Sequence, residues 1–354
     1  MQNHIVKSFG PGELYTRHSE GAFLRMKDGG IYFAYSRFTE SGSDAAPSNI
    51  ISMVSYDEGE TWTEPVVAVY AAEHETKNVM SVSLMRMQNG DLGLFYIVKA
   101  TPCINRIVLA RSADEGKTFY EKTVCTLSNR EGYYVLNNDR MERLAGGRLI
   151  MPLAFHRGGH GDGKAFFDGC AYDCFLYSDD DGRTWEEGRG RVFPPFTHTK
   201  TGLQEPGVIE LKNGVLWGYA RTDQMSQYEF FSLDGGETWT VPQASRFTSP
   251  PSPLKIKRHP ETGDLYAVWN PIPNYNGREL TRAGWGRTPL VWAVSKDEGR
   301  TWSEQQVIEG HPEHGYCYPA IFFTGDNAML VAYCAGGPED GACLNRLTIQ
   351  KVYI

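Results

Sequence analysis

The sequence lacks the features that mark several classes of protein. No run of about 18 apolar residues could span a bilayer, and the first residues do not show the basic-then-apolar pattern of a signal peptide. Lys and Arg number 35 against 43 Asp and Glu, a formal charge of −8, so there is no basic field for nonspecific nucleic-acid binding. We therefore expect neither nucleic acid nor membrane as a partner.

Cysteines are few and irregularly placed. Their number, seven, is odd and they have no dense spacing, so reduced thiols in a cytoplasm are expected, although a secreted or periplasmic protein freed of its leader would look the same. Phosphate loops, dinucleotide fingerprints and paired Cys-x-x-Cys sites are missing, and we expect no cofactor. The segment His156–Gly169 holds histidines and aspartates, but its glycines indicate a loop at a pocket mouth rather than a metal site.

The chain is rich in turn-forming and aromatic residues. It has 38 Gly and 19 Pro, which suit tight turns, and 17 Phe, 19 Tyr and 8 Trp, which suit strands. This mixture favours many short β-strands. The length of 354 residues leaves open either two domains or one large barrel or propeller.

One motif, Ser-x-Asp-x-Gly-x-Thr-aromatic, occurs five times. The copies are SYDEGETW (Ser55–Trp62), SADEGKTF (Ser112–Phe119), SDDDGRTW (Ser178–Trp185), SLDGGETW (Ser232–Trp239) and SKDEGRTW (Ser295–Trp302). Its chemistry predicts a hairpin turn, in which the Asp caps backbone N–H groups, the Gly takes a positive φ and the aromatic ring packs beneath. We call these the box turns and expect them to be structural rather than catalytic.

The box turns divide the chain into six units of about 59 residues. Each unit has a second turn about 30 residues ahead of the box, followed by an apolar strand, as in QNGDLGLFYIV. The pattern predicts an all-β fold, a six-bladed β-propeller forming one domain over residues 1–354. The sixth unit has no box, so residues near His4–Phe9 are expected to supply its outer strand against the C-terminal NRLTIQKVYI.

Five such boxes in a six-bladed pattern resemble the sialidase superfamily, and the sequence between them is most similar to its bacterial BNR-repeat, Asp-box, sialidase-like branch. The resemblance covers essentially the whole chain. Boxes of this kind specify fold more than activity. The function has to be sought in the residues at the propeller axis.

The residues that open the innermost strands should converge on that axis. Counting eight positions back from the second turn identifies one residue in five of the units, and a Ser-Pro pair fits the same place in the fifth blade. The six residues are Glu20, Ser81, Asn138, Glu205, Ser252 and Tyr318. All are polar or phenolic, which favours a polar ligand.

Tyr318 and Glu205 form a pair with chemistry of its own. A sialic-acid glycoside carries a carboxylate on its anomeric carbon, so a phenol activated by a carboxylate base avoids the repulsion that a carboxylate nucleophile would meet. The resemblance implies this pair, with YPAI beginning at Tyr318 and QEPGVIELKNG containing Glu205. Tyr316 is the competing nucleophile.

The resemblance also implies three arginines that hold the substrate carboxylate, because planar guanidinium groups bind carboxylates bidentately. Arg221 and Arg287 match the second and third. At the first position the sequence has Ser19-Glu20-Gly21, and Glu20 would repel a carboxylate. The candidates to replace the missing arginine are Arg17, Arg37 and Arg140.

A general acid is also required to protonate the leaving oxygen. The resemblance implies an Asp shortly after an arginine at the end of a first-blade strand, and the segment from Arg37 to Asp44 has that arrangement. Asp44 is the first candidate, Glu40 the reserve and Asp139 a third option. His18 is expected to donate a hydrogen bond to a sugar.

Together these residues predict an exo-acting, retaining glycoside hydrolase of the sialidase type that releases terminal sialic acid from a carbohydrate substrate. The alternatives are a propeller hydrolase for another sugar and a non-catalytic propeller that binds glycans. The oligomeric state and the glycosidic linkage stay open.

Overall fold

The structure is a computed structural model that describes residues 2–127, 129–161, 164–272 and 284–354. It is all β, and the described residues contain no α-helix and no helix long and apolar enough to cross a membrane. Six antiparallel sheets are the blades of a β-propeller. The sequence prediction of the fold is therefore confirmed.

The first strand, β1 (His4–Phe9), belongs to the last blade. Blade 1 consists of β2 (Arg17–Arg25), β3 (Ile31–Phe38), β4 (Ser48–Ser55) and β5 (Val66–Val69). Blade 2 consists of β6 (Val79–Arg86), β7 (Leu92–Thr101), β8 (Ile104–Ser112) and β9 (Glu121–Val124). A 3₁₀ helix, Ala71–His74, connects these two blades.

Blade 3 has an interrupted inner strand. It consists of β10 (Tyr133–Val135) and β11 (Glu142–Arg143), which both pair with β12 (Leu149–His156), followed by β15 (Tyr172–Ser178) and β16 (Glu186–Glu187). Between β12 and β15 the chain makes a separate hairpin of β13 (Gly158–Gly161) and β14 (Lys164–Phe167).

The last three blades are regular. Blade 4 consists of β17 (Gln204–Glu210), β18 (Leu216–Arg221), β19 (Ser226–Ser232) and β20 (Gln243–Thr248). Blade 5 consists of β21 (Lys255–Arg258), β22 (Leu265–Trp269), β23 (Leu290–Ser295) and β24 (Gln306–Glu309). Blade 6 consists of β25 (Cys317–Phe323), β26 (Ala328–Cys334) and β27 (Leu347–Tyr353), with a 3₁₀ helix, Pro338–Asp340, before β27.

The N-terminal strand closes the ring. β1 pairs antiparallel with β27, from His4 opposite Lys351 to Phe9 opposite Leu347. The two ends of the chain thus share blade 6, as the missing sixth box suggested. A strand contributed by the far end of the chain fastens the first and last blades together.

The hydrophobic core lies between the blades. Six clusters of buried apolar side chains each fill the space between one pair of neighbouring blades. For example, Ile50 and Tyr96 pack between blades 1 and 2, and Phe23 and Leu330 between blades 6 and 1. Burial on both faces explains why the middle strands read as continuous apolar runs.

All five box turns have the predicted hydrogen bonds. In the first, the hydroxyl of Ser55 donates to Oδ1 of Asp57 at 2.8 Å, and the backbone and side chain of Thr61 donate to its two oxygens at 2.8 and 2.5 Å. Gly59 has φ 87°, and the backbone N–H of that residue donates to Ser55. The four other boxes repeat these contacts.

The residue before each box glycine also takes a positive φ, which the sequence analysis did not predict. In the first box this residue is Glu58, which pairs with Arg25 at 2.9 Å and accepts a hydrogen bond from the backbone of Gly325 in blade 6. Comparable acid–arginine pairs occur in blades 2, 3 and 5. In blade 4 the equivalent position is glycine, and Glu210 instead reaches Ala145 of blade 3 at 2.6 Å.

Candidate active site

The innermost strands bend where they meet the axis. In four blades the pairing register shifts, and the residue at the shift has a positive φ: 59° at Glu20, 54° at Ser81, 52° at Glu205 and 56° at Tyr318. These are β-bulges, which turn a side chain away from the sheet. Positive φ is uncommon for such residues and strained for a bulky one, and strain of this kind is concentrated at functional sites.

Small or proline residues accommodate these bends. Gly21 follows Glu20, and a Cβ atom there would lie 2.2 Å from the ring of Phe33. Pro206 follows Glu205 and Pro319 follows Tyr318. Proline lacks the N–H that a bulge would leave unpaired. In blade 3 the residue with positive φ, 54°, is Asp139. The predicted axial residue, Asn138, precedes this bend and donates to the backbones of blades 1 and 6.

The four bulged residues line one cavity of about 370 Å³ at the axis. Asp44 and Arg221 line it too, so five of the predicted site residues (Glu20, Asp44, Glu205, Arg221 and Tyr318) meet there. Further side chains in the wall are those of Lys99, Tyr133, His156, Phe167 and Gln204.

Tyr318 and Glu205 are in direct contact. The phenol of Tyr318 donates to Oε1 of Glu205 at 2.7 Å, and Nη1 of Arg221 donates to the same oxygen at 2.9 Å. The second oxygen, Oε2, is buried and has no hydrogen-bond partner. Arg221 also donates to the side chain of Gln204. The pair has the geometry of a nucleophile beside a base.

Burial and the neighbouring carboxylate of Glu205 raise the pKa of Tyr318 well above its usual value, while Arg221 and Arg287 oppose the shift. The phenol therefore keeps its proton in the resting protein. It can become nucleophilic only as that proton passes to Glu205. Tyr316 lies elsewhere, buried in an apolar cluster beside Tyr333, and does not line the cavity.

Arg287 lies behind Tyr318 rather than in the cavity wall. Its guanidinium carbon is 5.5 Å from the centre of the Tyr318 ring. Nε and Nη2 donate to the carbonyl of Pro251 at 3.1 and 2.9 Å, and Nη1 donates to the sulfur of Cys317 at 3.1 Å. All three of its donor nitrogens are thus held by the protein itself, and Arg287 does not present the bidentate edge that the sequence analysis expected.

Arg17 holds two carboxylates together. Its guanidinium is fully buried, 2.5 Å from Asp44 and 3.0 Å from Glu20, and it also donates to the hydroxyl of Ser19 at 2.9 Å. Glu20 accepts a further hydrogen bond from Ser81. Arg17 therefore supports the cavity wall from behind and has no free edge.

Arg37 and Arg140 do not replace the missing arginine. Arg37 stacks on Tyr15, 3.9 Å from the ring centre. Arg140 is buried and donates to the phenol of Tyr219 at 3.1 Å. Neither side chain lines the cavity, so the predicted contacts of both with the substrate are wrong in this structure.

The two first-blade carboxyls have opposite pKa shifts. Burial would raise the pKa of Asp44, but the charges of Arg17 and Lys99 outweigh burial and hold it below its usual value. Burial dominates at Glu20 and raises its pKa to about 7 despite Arg17. Asp44 still has a side chain that is 60 % exposed in the cavity wall. The reserve, Glu40, does not line the cavity.

Three other predicted contacts lie outside the cavity. His18 packs on the rings of Phe9 and Tyr35, and burial lowers its pKa to about 4. Asp139 pairs with Lys255 and Lys257 at 3.4 and 3.2 Å. Asn138 donates to the backbone carbonyls of residues 21 and 318 at 2.9 and 3.1 Å. These three side chains support the axis rather than facing the cavity, so their predicted ligand contacts are wrong.

The end of β12 and the β13–β14 hairpin contribute two aromatic rings. His156 lines the cavity, donates from Nδ1 to the backbone carbonyl of Asp168 at 2.9 Å and stacks on Phe167. Residues 162–163 of this segment lie outside the described residues. Within the described part of the chain, no group of three or more His, Cys, Asp and Glu side chains could hold a metal ion.

Sequence reasoning missed Lys99 as a site residue. Lys99 is buried, lines the cavity and donates to the backbone carbonyl of Asp44. The available signal was a lysine near the end of the apolar run LGLFYIVKA, where a buried cation is unusual. Arg17 was considered only as a ligand contact, and its position as the centre of a buried ion cluster was missed.

The fold and the axial cavity define a sialidase-like six-bladed propeller. A family model described as "BNR repeat-like domain" matches residues 31–331. The chain therefore belongs to the BNR repeat-like family, within the sialidase-like superfamily.

Three comparisons illustrate how distant the relatives are. The anhydrosialidase of Macrobdella decora is 24 % identical over 265 residues, which cover 69 % of this chain and 31 % of that protein. The chain thus spans about a third of this curated relative. A protein of unknown function from Dyadobacter fermentans DSM 18053 matches with a TM-score of 0.71, 17 % identity and 99 % coverage of both chains.

The NanB sialidase of Streptococcus pneumoniae has the same TM-score, 0.71, at 14 % identity, with 99 % of this chain and 70 % of that chain covered. At such identities the structural likeness establishes the fold alone.

Proposed function

We propose that this protein is an exo-acting, retaining glycoside hydrolase of the sialidase type, with Tyr318 as nucleophile, Glu205 as its base and Asp44 as general acid. The observation that carries the proposal is the 2.7 Å hydrogen bond from the phenol of Tyr318 to Glu205, inside an axial cavity. A phenol–carboxylate hydrogen bond that only stabilised the fold would not need an open cavity beside it. The cavity therefore favours a functional role for this pair.

The reaction proceeds in two displacements. The Tyr318 oxygen attacks the anomeric carbon as its proton passes to Glu205, and the bond to the leaving oxygen breaks while Asp44 protonates that oxygen. Water then attacks the same carbon and gives a proton to Asp44. The phenol leaves and recovers its proton from Glu205. Each carboxyl group therefore ends the cycle in its starting state.

Arg221 supports the first displacement electrostatically. Its hydrogen bond to Oε1 of Glu205 holds that carboxyl group in place beside the phenol. Because the pKa of Asp44 is lowered, little of this carboxyl group is in its acid form at neutral pH. The acid form, which is required for catalysis, becomes more abundant as the pH falls. We therefore expect kcat/KM to rise from neutral toward mildly acidic pH.

Sialosides are the first substrates to test, because two of the similar proteins are named as sialidases. A second candidate is a hydrolase for another sugar, and two observations favour it: Glu20 lies in the cavity wall and the donors of Arg287 are held by the protein. A third candidate, a propeller that binds glycans without turnover, shares the cavity but needs no nucleophile.

The test is turnover of a broad panel of chromogenic glycosides by wild type and Tyr318→Phe. We expect the variant to lose at least about a hundredfold in kcat/KM, because removal of the nucleophile blocks covalent catalysis. Tyr316→Phe is the matched control and should retain activity. Glycan binding without turnover on any substrate would support the binding propeller instead.

A further inference from the structure

The charges that face the axial cavity point to a particular substrate class. Its described wall contains three carboxyl groups, those of Glu20, Asp44 and Glu205, and two cationic side chains, those of Lys99 and Arg221. His156 is also in the wall, but burial lowers its pKa and favours the neutral ring. Cations are therefore outnumbered by carboxyl groups in this part of the chain.

Both cations are already engaged by the protein. Arg221 donates through Nη1 and Nη2 to Glu205 and Gln204, and only its buried Nε has no partner. Lys99 donates to the backbone carbonyl of Asp44. The two arginines behind the wall, Arg17 and Arg287, direct their guanidinium groups at protein acceptors. None of the three guanidinium groups, those of Arg17, Arg221 and Arg287, offers a free planar edge to a ligand.

Hydrogen-bond acceptors, by contrast, are available. Glu205 is 7 % exposed, and its Oε2 is a buried acceptor with no partner. The Asp44 side chain is 60 % exposed in the wall. A buried acceptor without a donor is costly, so a ligand that fills this cavity gains by supplying one.

From this arrangement we infer that the sugar cleaved here carries no carboxylate and presents hydrogen-bond donors, hydroxyl or ammonium, to Glu20, Asp44 and Glu205. This inference rests on the proposed hydrolase function and selects, among its candidate substrates, a sugar other than sialic acid. A substrate carboxylate has only hydrogen-bond acceptors, so it could not donate to the carboxyl groups of the wall. Its negative charge would also be repelled by those groups. Glu20 is the specificity-determining residue, because Arg17 and Ser81 hold it at the first-blade position.

The most direct test compares two substrates that differ only at one group. They are the 4-methylumbelliferyl α-glycoside of N-acetylneuraminic acid and its carboxamide, in which a neutral donor replaces the carboxylate. Wild type is expected to turn over the carboxamide with at least about tenfold higher kcat/KM, because like-charge contact penalises the acid. Faster turnover of the carboxylate substrate would overturn the inference.

Variants assign the effect to one side chain. Glu20→Gln is expected to reduce the preference for the carboxamide by about tenfold, since it removes one of the three carboxyl groups in the cavity wall. Glu142→Gln is the control, because Glu142 is a half-buried carboxyl close to Lys255 that does not line the cavity. An unchanged preference in Glu20→Gln would also count against the inference. Should Glu20→Gln unfold, Ser81→Ala perturbs the same carboxyl more mildly.

Binding measurements separate this inference from the proposed function. Calorimetric titration of Tyr318→Phe with the methyl α-glycosides of N-acetylneuraminic acid and its carboxamide reports affinity without turnover. Tighter binding of the carboxamide supports the inference even if wild type hydrolyses neither compound, and the hydrolase is then judged by turnover of the broad glycoside panel. Tighter binding of the carboxylate overturns the inference and leaves the hydrolase standing. Aryl glycosides of neutral and amino sugars then distinguish hydroxyl from ammonium donors.

Discussion

Positive backbone φ angles occur in two regions of this propeller for different reasons. At the outer rim, the box turns place Glu58 and Gly59 at 55° and 87°, and the neighbouring Ser, Asp and Thr side chains satisfy the turn. At the axis, Glu205 and Tyr318 take 52° and 56° inside a strand. The turns are stabilised by their own residues, whereas the axial bends depend on surrounding structure.

The difference shows which part of the molecule is free to change. The five box turns keep one hydrogen-bond pattern. The axial positions share a backbone bend in most blades but carry carboxyl, hydroxyl and phenol side chains. A common scaffold thus presents carboxyl, hydroxyl and phenol groups from four blades to one cavity, which is how a repeat protein acquires a specific site.

The largest effect expected from the axial region is on activity. Glu205→Gln removes the base that accepts the Tyr318 proton, and we expect kcat/KM to fall by about a hundredfold to ten-thousandfold. The matched change at the rim, Glu298→Gln, should leave kcat/KM unchanged, because Glu298 pairs with Arg258 far from the cavity wall. Steady-state kinetics on the best chromogenic substrate make the comparison. Equal losses in both variants would contradict the division between the two regions.

The next effect is on stability at the axis. Arg17→Met leaves the buried Glu20 without its cation, and we expect the free energy of unfolding to fall by about 3 kcal/mol at mildly alkaline pH, where Glu20 is ionised in the folded wild type. Asp44 contributes little to this loss, since its side chain is 60 % exposed. Denaturant unfolding measures the change.

The same variant has a pH signature. The pKa of Glu20, about 7 in the folded wild type, lies above its unfolded value and should rise further without Arg17. Stability lost by Arg17→Met should therefore be largest above pH 7 and return as the pH falls toward 7, because Glu20 of the variant then already binds a proton in the folded state. The double variant Arg17→Met/Glu20→Gln should recover most of the loss at mildly alkaline pH. A loss independent of pH would instead indicate lost packing of Arg17 on the ring of Phe38, whose centre is 4.4 Å from the guanidinium carbon.

The smallest effect is expected in a single box turn. Asp180→Ala removes the acceptor for Ser178 and Thr184, and we expect a loss of about 1 kcal/mol, similar to that of a helix cap. These hydrogen bonds lower the pKa of Asp180 to about 2, below its unfolded value. The stabilisation is thus present above about pH 4 and lost as the pH falls toward 2.

Asp179→Ala is the control for that turn, because Asp179 forms only an exposed pair with Arg148. Thermal unfolding at pH 6 and pH 2.5 compares the two variants. A box variant whose difference from wild type is the same at both pH values would show that the carboxylate is not what stabilises the turn.

The fold could be predicted because its signals are local. A box turn needs only eight consecutive residues, and five copies with a repeated spacing led directly to six blades. Even the closing role of His4–Phe9 followed from the missing sixth box. The second positive φ in each box, as at Glu58, could not be predicted, because glutamate does not indicate a left-handed conformation.

The site could be predicted only in part. One cavity contains four of the predicted residues: Tyr318, Glu205, Arg221 and Asp44. Glu205 and Tyr318 were found by counting eight residues back from the second turn of each unit, and this count works because the paired inner strands have similar lengths. In blade 3, where the inner strand is interrupted, the offset identifies Asn138, which contacts the backbones of blades 1 and 6, but the positive φ is at Asp139. The sequence also could not predict in which direction a long arginine side chain points.

Arg287 illustrates that limit. It lies beside Tyr318 as expected, yet its donors turn to the carbonyl of Pro251 and the sulfur of Cys317. Those partners come from different blades, and no local pattern indicates them. Arg17 is likewise defined by contacts with Glu20 and with Asp44, which lies 27 residues further along the chain.

The central claim is that Tyr318 forms a covalent bond to the sugar. It is tested by incubating the protein with an activated fluorinated glycoside of the sugar that it cleaves fastest, since fluorine beside the anomeric centre slows release of the intermediate. Peptide mass spectrometry should then find one glycosyl adduct on the peptide that contains Tyr318, and none in Tyr318→Phe. An adduct on Glu20 or Asp44, or turnover of the trap without any adduct, would contradict the account.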